Sequence, residues 1–262
     1  MIEECPNFDI LITGSDQVWN PYFLMRGEKK ITPVYFLNFG NENCKKVALS
    51  VSFGCVEYKK EVQQTAKPYI EKIDKISVRE KSGLPILKKM GIDDAVITAD
   101  PTSLLCAKSY LTLCNKEKNI LSKYTAIYIL RKQSKQIKKG VKSIAKRLGN
   151  KTVNIEKKSV EQWIKGIADA EFVITNSFHC VMFCLKMHTP FAVVLEQGGL
   201  KGMNDRIYTL LEFFELQGCI IKDFEKFIQN NQKFDWKEID IKMEEYATSL
   251  KKYLDDVILE KR

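Results

Sequence analysis

Four short polar clusters hold the side chains most capable of chemistry: Gly14-Ser15-Asp16-Gln17, Ser77-Val78-Arg79-Glu80, Asp100-Pro101-Thr102 and Thr175-Asn176-Ser177-Phe178-His179. Each follows an apolar run of strand character, and in open parallel α/β sheets ligands collect at the carboxyl ends of strands. The fourth cluster is the most informative. Its residues fall in the first turn of a helix, where backbone N–H groups and the positive dipole end favour an anion. A histidine there can hold a proton and hydrogen-bond a phosphate or carboxylate. The plainer alternative is a half-buried histidine beside a capped helix. His188, at the far end of the same helix, is expected to satisfy terminal carbonyls.

Other chemistries find no support in the pattern. Gly14 is followed by no G-x-x-G run, and there is no P-loop, nucleophile elbow or carboxylate metal motif. Cys180 and Cys184 are spaced i, i+4 beside His179, but the chain has only two histidines and no second ligand cluster, so no metal site is expected. What remains is electrostatic handling of an anionic substrate without an organic cofactor.

The elements that position these clusters follow from hydrophobic periodicity. Strands are predicted over 8–13, 34–37, 46–51, 75–79 and 95–98, with helices over 58–73 and 82–90, the latter closed by Gly91. Residues 108–123 are mixed and polar and mark a boundary. A second alternating set follows: strands over 124–130, 152–155, 172–175 and 191–195, and a basic helix over 135–148 closed by Gly149. A further helix opens at Ser159, its N-cap, with Gln162 completing a capping box. Apolar residues Ile239, Met243, Tyr246, Leu250, Tyr253, Leu254 and Val257 make one stripe on a helix over 235–260. Short apolar strands joined by helices imply parallel sheets with right-handed crossovers. The fold class is therefore α/β with two Rossmann-like domains: 1–115, then 120–235, then a C-terminal amphipathic helix over 236–262 packing on the fold.

Composition sets the outer bounds. The chain has 262 residues, 45% hydrophobic and 29% charged, which is globular composition without long disorder. No apolar run approaches the roughly 20 residues that cross a bilayer, and Met1 to Cys5 has neither a basic nor an apolar leader region. The eight cysteines form no C-x-x-C pair and read as buried free thiols of a cytoplasmic protein. The net charge of +9 is concentrated: 118–155 contains no acidic residue and eleven Lys and Arg, so the remainder carries −2. The stretch reads mainly as a solvated helix face, with weak attraction to anionic glycans or lipid-linked substrates as a secondary role. Tyr124 and Tyr128 are its only aromatics, which speaks against nucleic acid.

Five motifs in order give the chain a resemblance. Ile12-Thr-Gly-Ser-Asp-Gln-Val-Trp-Asn20, Ser52-Phe-Gly54, Ile76-Ser-Val-Arg-Glu-Lys-Ser-Gly83, Asp100-Pro-Thr102 and Phe172-Val-Ile-Thr-Asn-Ser-Phe-His179 together resemble the polysaccharide pyruvyl transferase family over roughly residues 8 to 215. The resemblance implies a fold similar to two-domain (GT-B-like) glycosyltransferases. It also implies transfer of pyruvate from phosphoenolpyruvate onto two hydroxyls of a sugar, as a cyclic ketal, without metal or cofactor. The implied partners are phosphoenolpyruvate and a sugar or lipid-linked glycan acceptor of cell-surface polysaccharide synthesis, at the inner face of the membrane with peripheral association. Oligomeric state is left open. The alternatives are a nucleotide-sugar glycosyltransferase and a truncated, non-catalytic glycan-binding protein.

Carried onto this sequence, the resemblance makes His179 and Arg79 catalytic. It places Lys201, Ser177, Asn176, Arg206, Ser15, Asp16, Gln17 and Asp100 in substrate binding. Arg79 would hold a phosphate or carboxylate in a bidentate pair. Lys201, in Gly198-Gly-Leu-Lys-Gly-Met-Asn-Asp-Arg206, would add a point charge. His179 would protonate the methylene carbon or accept a hydroxyl proton. Arg79, His179 and Lys201 are expected to converge on one anion site in a cleft between the domains. Two departures accompany the likeness. Asn176 stands where relatives carry aspartate. Relatives also have a strand and a glycine-rich loop before the Gly-Ser-Asp-Gln motif, so the first domain is expected to be N-terminally incomplete and the chain a shortened form, poorly active alone.

Overall fold

The computed structural model describes residues 8–24, 33–40, 43–114, 116–117, 123–131, 133–229 and 233–259. The chain divides into two units. Unit 1 comprises Met1–Pro101, Gly198–Leu210 and Glu245–Arg262, and unit 2 comprises Thr102–Gln197 and Leu211–Glu244. The extreme N-terminus with Cys5, the basic residues Lys118 and Lys132, residues 115 and 118–122 of the predicted boundary segment and residues 260–262 lie outside the described residues.

Unit 1 opens with β1 (Ile10–Gly14), α1 (Pro21–Leu24), β2 (Lys45–Val51), α2 (Lys60–Ile70), β3 (Lys75–Val78), α3 (Gly83–Lys89) and β4 (Val96–Ile97). Its strands pair in parallel in the order β1-β2-β3-β4, so all four carboxyl ends lie along one edge of the sheet. One face is closed by α2 and α3 over a core that includes Trp19, Phe36, Phe53, Tyr58, Val62 and Ile70. Tyr58 precedes α2 instead of joining it, as the start predicted at residue 58 would require; its hydroxyl donates to the Trp19 carbonyl.

The strand predicted over 34–37 is instead a 3-10 turn, Pro33–Phe36. Proline at its first position fixes a helical φ, and Leu37 at φ 52° cannot continue an extended chain. The turn is pinned because its Tyr35 carbonyl accepts from the Thr13 hydroxyl and the Trp19 indole, both at 3.0 Å.

Unit 2 contains α4 (Ala107–Leu113), β5 (Tyr124–Tyr128), α5 (Lys135–Arg147), β6 (Lys151–Asn154), α6 (Val160–Ala168), β7 (Phe172–Thr175), α7 (Phe178–Lys186) and β8 (Phe191–Val193). The helix α4 lies in the stretch that sequence patterning treats as a polar boundary. The sheet order is β6-β5-β7-β8, all parallel. From β5 the chain crosses to β6 on one side, while β7 and β8 extend the sheet on the other. The gap between the ends of β5 and β7 is therefore a topological switch point, where ligands of doubly wound sheets bind.

Among the described residues that follow are the helices α8 (Asp205–Phe213), α9 (Phe224–Gln229) and α10 (Trp236–Leu259). In unit 1, Tyr253 and Val257 of α10 cover Val47, Ile10 and Leu49 on the second face of the sheet. The Tyr253 hydroxyl donates to the Ala48 carbonyl at 3.0 Å, and Lys45 donates to the Val257 carbonyl at 2.7 Å. In unit 2, Gly140 leaves room for the Phe224 ring to lie against the α5 backbone, where any Cβ would collide with it. The opposite face of α5 carries Lys135, Lys138, Lys139, Lys142 and Lys146, all exposed. At 100° per residue these five fall within one narrow stripe.

Several local expectations change in detail. Ser159 caps α6 by accepting from the Gln162 amide at 3.2 Å, but among the described residues the Gln162 side chain makes no return bond, so the box is half made. His188, at φ 54°, turns its ring to Asp240 at 2.8 Å and stacks on Trp236 instead of meeting helix carbonyls. Of the described cysteines, Cys44, Cys114, Cys180, Cys184 and Cys219 are buried, whereas Cys55 is half-buried and Cys106 exposed.

Candidate functional site

The carboxyl edge of the unit 1 sheet gathers polar side chains from all four strand ends. Arg79, directly after β3, is wholly buried. One guanidinium nitrogen meets Asp100, just beyond β4, at 2.7 Å, and the other meets Asp16, just beyond β1, at 3.3 Å. Ser15 donates to the same Asp100 oxygen at 3.3 Å. Arg206, on the first turn of α8, lies 3.9 Å from Asp16 and donates its Nε to the Met203 carbonyl at 3.1 Å. Burial works against the Arg79 charge, but the carboxylates of Asp100, Glu80 and Asp16 outweigh it and raise the guanidinium pKa.

Beside this pair, Glu80 anchors the loop after β2. Its Oε1 accepts from the Ser52 hydroxyl at 3.0 Å and from the amides of Phe53 and Gly54 at 2.7 and 3.0 Å. Gly54 sits at φ +54°, a conformation that suits glycine and turns its amide toward the carboxyl. Burial pushes the Glu80 carboxyl above the usual range, against the opposing pull of Arg79 and these donors. Gln17 is turned inward, its Oε1 accepting from Asn20 at 2.6 Å. Lys201 lies on the 3-10 turn Gly198–Asn204 and is exposed, with no ion pair among the described residues.

In unit 2 the switch point is stitched together by three strand ends. Asn176, after β7, accepts from the Leu130 amide at 2.8 Å and donates to the Leu130 carbonyl at 3.0 Å, which holds the loop after β5. Its amide nitrogen also donates to Glu196, after β8, at 2.9 Å, and Glu196 pairs with Arg131 at 2.5 Å. The asparagine thus contributes a donor to Glu196; an aspartate there would set one carboxylate against another. Ser177 caps α7, accepting from the Cys180 amide at 3.4 Å. His179 follows in the first turn, half-buried, with its ring edge-on to Phe178 at 5.5 Å.

The structure thus brings Arg79, Asp100, Asp16, Ser15 and Arg206 together in unit 1, and Asn176, Ser177 and His179 together in unit 2. Among the described residues, neither Lys201 nor Gln17 bonds to the Arg79 cluster. Sequence reasoning included Glu80 in a strand-end cluster without giving it a role, and missed Glu196. Both stand at strand carboxyl ends, so the strand-end rule had the reach to find Glu196 as well.

A family model described as polysaccharide pyruvyl transferase matches residues 3–197. The chain belongs to that family. As a polysaccharide pyruvyl transferase family member it is a transferase, and the matched span contains every site residue named above except Lys201 and Arg206. No curated protein matches the chain. Among the described residues no helix is long and apolar enough to cross a membrane.

Two outcomes follow from the buried charges. Arg79→Ala leaves the Asp100 carboxylate buried without its main counter-charge, and should lower unfolding free energy by about 3–5 kcal/mol in urea denaturation. A loss within ordinary surface scatter would show the pair to be solvated. Glu80 has a folded pKa above its unfolded value, so its contribution to stability is complete below the ordinary carboxylate range and is lost as pH rises through the raised value. Glu80→Gln retains an acceptor for the three donors and cannot ionise. Its stability should therefore fall less steeply than wild type between mildly acidic and neutral pH, and equal slopes would assign the decline to other groups.

Proposed function

We propose that this family member transfers the pyruvyl group of phosphoenolpyruvate onto two hydroxyls of a sugar in a surface-polysaccharide precursor. The observation that carries the reading is the pair of buried guanidiniums, Arg79 and Arg206, at a strand edge of a chain that belongs to this family. Phosphoenolpyruvate carries a phosphate and a carboxylate, and planar guanidiniums match both. Lys201 adds an exposed cation for the phosphate. In the reaction two sugar oxygens bond to C2 of the enol, C3 takes up a proton to become a methyl group, and the C2–O bond to phosphate breaks. The two hydroxyl protons end on the methyl carbon and on the released phosphate.

His179 is our proton-carrying group, either donating to C3 or accepting from a hydroxyl, and Ser177 and Asn176 fix the turn that presents it. Each parallel sheet is read as a Rossmann-like domain of the glycosyltransferase kind. The chain needs no organic cofactor in this scheme, and we place it in the cytoplasm. Incubation with phosphoenolpyruvate and candidate acceptor glycans should release phosphate and add one pyruvyl ketal to the sugar. His179→Ala should lower kcat by about 10²-fold or more.

The switch point of unit 2 favours one rival, a nucleotide-sugar glycosyltransferase. Thermal stabilisation by a nucleoside diphosphate and none by phosphoenolpyruvate would select that rival. A lipid-linked acceptor would bring the enzyme to an anionic membrane surface, and the lysine stripe of α5 is suited to weak attraction there. Sedimentation with anionic vesicles should be detectable at low salt and reduced in a Lys138→Gln, Lys142→Gln, Lys146→Gln variant. Wild-type protein that stays in the supernatant even at low salt would remove membrane attraction from the scheme.

A further inference from the structure

The geometry points to Asp16 as an internal stand-in for an anionic ligand. We propose that its carboxylate occupies the place on Arg79 and Arg206 that a substrate carboxylate or phosphate takes, and that ligand binding displaces it. The inference rests on the reading of unit 1 as the donor-anion site.

The two carboxylates on Arg79 differ in kind. Asp100 is the inner partner, fully buried and 2.7 Å away, within the range of a strong charge-assisted bond. Asp16 is the outer partner: its side chain is 65% exposed, and it sits 3.3 Å from Arg79 and 3.9 Å from Arg206. Arg79 and Arg206 are themselves 0% and 8% exposed at their side chains, so Asp16 lies on their solvent side. Both outer distances exceed those of a well-made N⁺–H···O⁻ bond. An exposed carboxylate held at such distances gains little from the pairing, because water screens it.

The backbone beneath Asp16 is fixed independently of the side chain. Its carbonyl accepts from the Val18 amide at 2.6 Å and from the Ser52 amide at 3.1 Å. A rotamer change of one short side chain therefore breaks its contacts with both guanidiniums while these backbone bonds stay in place. An incoming phosphate has enough oxygens to engage the two at once, which the single Oδ1 of Asp16 does at longer range. Asp16 thus stabilises two buried cations until a ligand replaces it, and it discriminates against ligands too weakly charged to compete.

The test measures inorganic phosphate binding to the full chain by calorimetry, in wild type, Asp16→Asn, Asp16→Ser and Asp16→Asn/Arg206→Gln. Both single variants should bind phosphate about tenfold tighter than wild type, the factor expected when the uncovered arrangement is populated about one-tenth of the time. The gain should disappear with Arg206→Gln. Equal or weaker phosphate binding by both single variants, with unchanged thermal midpoints, would overturn the proposal and make Asp16 a residue that positions Arg79. A gain surviving in the double variant would place the anion elsewhere and overturn it equally. Wild-type enzyme that never releases phosphate from phosphoenolpyruvate, alongside a tenfold gain in Asp16→Asn, would sink the donor assignment and leave the Asp16 proposal standing.

Discussion

A guanidinium stripped of water is the constraint around which the edge of the unit 1 sheet is organised. A buried charge costs several kcal/mol unless it is paired and hydrogen-bonded, and the Arg79 side chain is fully buried. Its requirement draws Asp100 from the end of β4 and Asp16 from the end of β1. The adjoining Glu80 is occupied in turn by the Ser52–Gly54 loop after β2. All four strand ends are thereby tied to one electrostatic arrangement. The parallel order of the sheet makes this possible, because it brings every carboxyl end to the same edge.

Unit 2 reaches a comparable result by neutral means. There the central group is the Asn176 side chain, which uses its oxygen and both amide protons on Leu130 and Glu196. An amide suits this place because it donates and accepts at once. The loop after β5 needs both its N–H and its C=O satisfied, while Glu196 needs a donor. The consequence is a firmly held turn from which Ser177 starts α7 and His179 projects. Fixing the turn before the helix begins sets where the first turn of α7, and with it the backbone of His179, is placed.

Much of this order could be read in the residues themselves. β2, β3 and β7 fall within a residue of their apolar runs, since each run is bounded by glycine, aspartate or a polar turn. The stripe from Ile239 to Val257 marks α10 because buried positions on a long helix must recur at its period. The segment over 34–37 deceived for a physical reason: Val34, Tyr35 and Phe36 have strand character, but Pro33 and the left-handed Leu37 decide the backbone. Long-range pairing was the larger gap. Arg79 stood out, but its partner Asp100 is 21 residues away, and His188 finds Asp240 across 52 residues. Periodicity reports which face of an element is buried, and it is silent on which distant group will meet it. Strand-end position was enough to mark Glu80 and could have marked Glu196, but their roles lie in the amides and guanidinium they face, which periodicity does not report.

The covering of β2 by α10 has a consequence for synthesis. Val47, Leu49 and Ile10 present an apolar face that is closed by Tyr253 and Val257, and the bonds that fasten this contact span 205 and 212 residues. A ribosome releases that strand long before its cover. Closing so long a loop is entropically slow, and until it closes the sheet carries a bare apolar surface on which nascent chains could associate. Completion of unit 1 therefore waits on α10, long after its strands have been made.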